Sequence, residues 1–144
     1  AHKLRFLNEV SKWQESRSGT PTKQILLGDL NIAPLESDVW SHKQLMNIVS
    51  HTNIEIAALK NLQNSGPWID AVRERVPKDE KLFSWWSYRA KDWTKGNRGR
   101  RLDHMWVTEN MRSSIEKVQL LKEARSWKKP SDHAPLIVTF KASK

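Results

Sequence analysis

Gln24-Ile25-Leu26-Leu27-Gly28-Asp29-Leu30-Asn31 is the stretch on which the reading of this chain turns. Ile25, Leu26 and Leu27 form a continuous apolar run, which predicts a strand over 24–28 covered on both faces. Asp29 and Asn31 follow at once, at the place where functional polar groups commonly emerge from α/β sheets. A strand end is a rigid support. From it an Asp can orient a water or bind a metal, and an Asn can donate to a phosphate oxygen without adding charge. The same two residues also suit a simple Asx turn.

Upstream, Phe6, Val10 and Trp13 fall at i, i+4 and i+7 and predict a helix over 3–16, ended by Gly19-Thr20-Pro21. Downstream, residues 33–51 read as one long irregular stretch, of a kind that is usually functional or disordered. Thr52 and Glu55 have capping-box spacing for a helix carrying Ile56, Leu59 and Leu62, which stops near Ser65-Gly66-Pro67. Residues 68–73 suit a short buried turn or strand, and 83–88 are strand-like. Residues 91–100 form a basic, glycine-containing loop. Further strands are expected over 101–107, 115–121 (an edge) and 136–140, where Leu136, Val138 and Phe140 alternate. Helices mixed with strands describe an α/β layered domain, and 144 residues fit one domain.

Lys and Arg total 25 against 16 Asp and Glu, a net charge of +9. Such a balance points first to a polyanion, because neutralising phosphates releases counterions; an indifferent basic surface is the alternative. The charge is uneven. Arg89, Lys91, Lys95, Arg98, Arg100 and Arg101 crowd one segment against the lone Asp92. Most of the eight tryptophans should be core, but an exposed one beside Arg can stack on a base or sugar. No cysteine is present, which excludes disulfides and thiolate metal sites and fits a reducing compartment. No run approaches the ~20 apolar residues of a membrane span, and Ala1 to Phe6 lack a signal-peptide core. A cytoplasmic, bacterial-type protein is expected.

Two further places carry chemistry. Asp103 lies in the otherwise apolar Leu102-Asp103-His104-Met105-Trp106-Val107, where a carboxylate must be paired or hydrogen-bonded. Its partner is either Arg100 or Arg101 in a salt bridge, or a histidine that it holds in one tautomer. Ser131-Asp132-His133 sits in a loop before the last strand. His133 can act as acid, base or phosphate-binding cation, and Asp132 can face a divalent ion.

Four segments, in order, resemble the exonuclease III family of DNA-repair nucleases within the endonuclease/exonuclease/phosphatase superfamily. They are Leu27-Gly28-Asp29-Leu30-Asn31-Ile32-Ala33-Pro34, Phe83-Ser84-Trp85-Trp86-Ser87-Tyr88-Arg89, Asn97-Arg98-Gly99-Arg100-Arg101-Leu102-Asp103 and Lys129-Pro130-Ser131-Asp132-His133-Ala134-Pro135. The resemblance implies that Asp29 activates or orients water and that Asn31 contacts the scissile phosphate. His133, held by Asp103, would contact the phosphate or assist the water. Asp132 would lie near Mg²⁺ or Mn²⁺, with Asp29 and Asn31 as further candidate ligands. Trp85, Tyr88, Arg89, Lys91, Lys95, Arg98, Arg100 and Arg101 would approach double-stranded DNA with abasic sites or 3′ ends, Trp85 packing against an abasic sugar.

The family also carries an N-terminal half that supplies the principal metal-binding Glu, and no such motif occurs here. Residues 1–144 therefore read as the C-terminal half of a four-layered α/β sandwich: one β-sheet, its flanking helices and half of a site. Such a chain is expected to be nearly inactive alone and to self-associate or take up a separate N-terminal half. The alternatives are a superfamily phosphatase or phosphodiesterase on a non-DNA substrate and a non-catalytic DNA-binding module.

Overall fold

The computed structural model describes residues 2–17, 19 and 22–142. In chain order the elements are α1 (His2–Glu15), β1 (Ile25–Asp29), α2 (His42–Leu45), α3 (Asn53–Asn64), β2 (Trp68–Asp70), β3 (Trp85–Trp86), α4 (Trp93–Gly96), β4 (Gly99–Arg100), β5 (Asp103–Thr108), β6 (Ile115–Leu120) and β7 (Leu136–Phe140). Short 3-10 turns occupy Glu36–Asp38, Glu109–Ser114 and Lys122–Ser126. The expected helix stop at Gly19-Thr20-Pro21 lies largely outside the described residues.

The Thr52 cap forms as the spacing predicts. Its hydroxyl oxygen accepts from the Glu55 N–H, and the Glu55 carboxylate accepts from the Thr52 N–H. α3 packs on α1, and both cover one face of the sheet through Leu7, Leu59, Leu62, Trp68 and Trp106. Each buried Leu there contributes roughly 1.5–3 kcal/mol. Of the expected stripe of α1, only Val10 packs against the core. Leu7 and Gln14 point inward, while Phe6 and Trp13 are 53% and 52% exposed.

The α/β class is as expected, but the strands do not make one sheet. β5 runs antiparallel between β1 and β2, and β3–β4 and β6–β7 are separate two-stranded ribbons. β1 is also not covered on both faces. Leu26 packs toward the helices, whereas Ile25 and Leu27 on the opposite face are 45% and 63% exposed. Leu27 stands opposite Met105 across the ladder, which widens this apolar strip. The β6–β7 ribbon covers only the far end of that face, over Ile69 and Val107.

The stretch read as irregular contains α2 and the 36–38 turn, and the basic loop contains α4 and β4. Asp92 accepts from the Thr94 and Lys95 N–H groups to start α4, and Asn97 ends it in the left-handed region at φ 42°. The strand-like 83–88 shrinks to β3. Gly99 on β4 has to be glycine, since a Cβ there would stand 2.5 Å from Cβ of Phe83.

The loops are fastened by a buried ion cluster. Asp38 is fully buried and accepts from Arg73 at 2.6 Å and from Arg101 Nε at 2.7 Å. Arg101 also reaches Asp70 at 2.7 Å. The two guanidiniums hold the Asp38 carboxyl below its usual range against the opposing effect of burial. Removing one partner of such a cluster typically costs about 3–5 kcal/mol.

His104 on β5 is buried against this cluster and lies within 2.7 Å of the Ile32 carbonyl through Nε2. That carbonyl can only accept, so Nε2 carries the proton. Burial, aided by the Arg101 charge, pushes its pKa from 6.5 down to about 4. The unfolded chain therefore binds the proton more readily. The stabilisation is complete above about pH 6.5 and is lost as pH falls toward about 4, by up to ~3 kcal/mol. Urea midpoints measured across that window should fall, and His104→Gln should flatten the slope. An unchanged slope in the variant would remove His104 as its source.

Candidate active site

Asp29 closes β1 and Asp103 opens β5, and the two are directly opposed in the ladder. Gly28, just before Asp29, adopts φ +144°, which L side chains rarely take. The Asn31 N–H donates to Asp29 Oδ1 at 2.8 Å, so the Asx turn does form. It leaves Asp29 Oδ2 at 3.8 Å from His133 Nε2. The other ring nitrogen, Nδ1, lies 2.8 Å from Asp103 Oδ2. His133 thus stands between two carboxylates supplied by neighbouring strands.

Asp103 therefore pairs with the histidine, and neither arginine of the salt-bridge alternative reaches it. Arg101 goes to Asp38 and Asp70, and Arg100 hydrogen-bonds the Val49 carbonyl and the Ser50 hydroxyl. Ser84 completes the support. Its hydroxyl donates to Asp103 Oδ2 at 2.6 Å and accepts from the Leu102 and Asp103 N–H groups at 3.0 and 3.1 Å. Sequence reasoning passed over Ser84, although it lies inside the Phe83–Arg89 segment. Lys3 was also missed: its ammonium donates to the Asn31 carbonyl at 2.8 Å and pairs with Glu55 at 2.7 Å. Nothing local in the sequence links a residue of α1 to the strand end.

Asp132 is engaged by Trp85. Its Oδ2 accepts from the Trp85 indole N–H at 2.9 Å. A cleft of about 340 Å³ opens beside the histidine, lined in part by Leu27, Gly28, Asp103, His133 and Leu136. Among the described residues no group of three or more acidic or imidazole side chains is placed to hold an ion. Asp29, Asn31 and Asp132 are hard oxygen donors of the kind Mg²⁺ prefers, but they do not compose a metal centre by themselves.

Of the candidate DNA contacts, Arg89, Lys91, Lys95 and Arg98 are exposed, as is Tyr88, whose hydroxyl donates to the Pro130 carbonyl. Trp85 and Arg100 are half-buried. Arg101 is a correction. It is 1% exposed inside the Asp38 cluster and cannot meet a polyanion. Alternation along the strand puts it on the opposite face from Arg100, and the run of charges in the sequence hides that.

The geometry assigns the His133 tautomer. With Asp103 ionised, Nδ1 carries the proton in the neutral ring, and Nε2 is left as an acceptor facing Asp29. A second proton would turn Nε2 into a donor to a phosphate oxygen. Ring ¹⁵N chemical shifts in the neutral ring should therefore show Nδ1 protonated. Asp103→Asn should abolish that preference while far-UV circular dichroism stays unchanged. A wild-type ring protonated at Nε2 would refute the assignment.

Comparison with known proteins places this arrangement. Exodeoxyribonuclease III of Haemophilus influenzae is 29% identical over 145 residues, covering 96% of this chain and 54% of that protein. An AP endonuclease from Archaeoglobus fulgidus superposes with a TM-score of 0.90 at 26% identity, over 98% of this chain and 54% of that one. A 3′-5′ exonuclease from Neisseria meningitidis gives 0.86 at 26% identity, over 96% and 53%. The chain thus spans about half the length of these relatives. The family model of the Endonuclease/Exonuclease/phosphatase family matches residues 1–133. With the match spanning the first three segments and reaching His133 in the fourth, the chain belongs to the Endonuclease/Exonuclease/phosphatase family, on its exonuclease III-like side.

Proposed function

We propose that this chain forms one wall of a divalent-metal-dependent phosphodiesterase site that cleaves DNA at 3′ ends and abasic sites in base-excision repair. The observation that carries the reading is the Asp29–His133–Asp103 line at a strand end, beside a strongly basic segment. Asp29 would orient the attacking water and Asn31 would donate to the scissile phosphate. His133, fixed by Asp103 and Ser84, would assist the water or bind a phosphate oxygen through Nε2. Arg89, Lys91, Lys95 and Arg98 would hold the DNA backbone, making binding salt-dependent.

The Mg²⁺ or Mn²⁺ of this reading needs donors beyond Asp29, Asn31 and Asp132. We assign them to a complementary half of the fold, on this polypeptide or another. The apolar strip of Ile25 and Leu27 supports that assignment, since an uncovered patch of this kind marks an association face.

Incision of a duplex containing one abasic site, with Mg²⁺ present, tests the reading. The 144-residue chain alone should cut at background level. Adding the N-terminal half of an exonuclease III-like relative should restore cutting, and His133→Ala should reduce the restored rate by roughly 100-fold or more. Robust cutting by the chain alone, lost in the His133 variant, would sink the half-site assignment. No cutting of this duplex, nor of one ending in a recessed 3′-phosphate, in any complemented form would sink the nuclease reading. Sedimentation at high concentration should show species heavier than a monomer, and a strictly monomeric chain would count against the association face.

A further inference from the structure

Arg100 is the least explained charge near the site. A bridge pairs Trp85 with His133, the β3–β4 ladder pairs Trp85 with Arg100, and a second bridge pairs Arg100 with Val39. Directly opposed residues of antiparallel strands put their side chains on one face. Val39, Arg100, Trp85 and His133 therefore stand in a single row. Neighbours in it are about 5 Å apart, which sets Arg100 about 10 Å from the histidine.

Within that row the Arg100 guanidinium carbon lies 5.6 Å from the centroid of the Trp85 ring. It is pinned there. Nη1 donates to the Val49 carbonyl and to the Ser50 hydroxyl, both at 2.6 Å. The group is half-buried, and among the described residues it makes no ion pair. Burial holds its pKa below the usual arginine value, which Glu55 offsets only in part. Such a cation is completed by an anion. Among the described residues both of its side-chain hydrogen bonds leave from Nη1, so the rest of the planar fork remains for an oxyanion.

An indole face beside a phosphate-handling histidine is a natural platform for a base or a sugar. Here the guanidinium occupies that platform. We propose that Arg100 selects the substrate. It closes the Trp85 face to an extrahelical base-less sugar and binds the phosphate next to the scissile one, favouring 3′ termini whose nucleotide stays stacked in the duplex. The inference rests on the DNA phosphodiesterase reading above and narrows it.

Fluorescence anisotropy of the full chain separates the two ideas, with one labelled duplex ending in a recessed 3′-phosphate and another holding an internal tetrahydrofuran abasic analogue. The wild-type chain should bind the abasic duplex no more tightly than the 3′-phosphate duplex. Arg100→Leu should shift the ratio toward the abasic duplex by about fivefold or more, as expected when an aromatic platform opens, and lower the salt slope by about one. Arg100→Lys, which keeps the charge but not the planar stack, should shift the ratio while keeping the slope. Circular dichroism identifies any variant that fails to fold. Unchanged ratios in both folded variants, or a wild-type preference for the abasic duplex, would overturn the inference alone. A wild-type chain that binds neither duplex would overturn the DNA reading and the inference with it.

Discussion

The fold closes around one anion. Asp38 sits at the end of a 3-10 turn with no access to water, and its two oxygens gather Arg73 from the turn after β2 and Arg101 from the link between β4 and β5. Arg73 carries the effect further, donating to the Pro77 and Glu80 carbonyls. Arg101 adds Asp70 at the end of β2. Three segments with little secondary structure of their own are thereby joined by charge rather than by apolar packing. Isolated buried ion pairs seldom stabilise strongly in net terms. This cluster also satisfies loop carbonyls that hydrophobic residues would leave unpaired, and that is its structural value.

The site inherits its geometry from that junction. Arg101 fixes the backbone two residues before Asp103, so the carboxylate enters β5 at a set height opposite Asp29. Ser84 then accepts from the amides of Leu102 and Asp103 and returns its own proton to the Asp103 carboxylate. By the time the chain reaches His133, its orientation is determined from both sides. Little remains for the loop itself to do beyond the turn in which Ser131 accepts from the His133 N–H.

The polar cluster at the strand ends was more legible in the sequence than the scaffold that carries it. Asp29, Asn31, Asp103 and His133 were identifiable because polar residues at strand ends stand out against apolar runs. α3 and β7 were legible because a capping box and a two-residue alternation are local signals. β1 misled, since three successive apolar residues look doubly covered, while in the structure Ile25 and Leu27 on one face stand exposed. Arg101 misled for the opposite reason. A cluster of cations reads as solvent-facing until its partners, 31 and 63 residues away, are known. Ser84 and Lys3 act only across tertiary distance and leave no local mark.

Arg100 and Arg101 are neighbours in sequence but answer to different constraints. One lies over the Trp85 ring, and the other is locked among carboxylates just beyond the end of β4. Exchange at the first position removes two hydrogen bonds to the 49–50 turn but no ion pair among the described residues. Exchange at the second threatens folding before substrate choice is ever at issue. Within a single dipeptide, the cost of a lost side chain thus changes from a pair of loop hydrogen bonds to the break-up of a buried charge cluster.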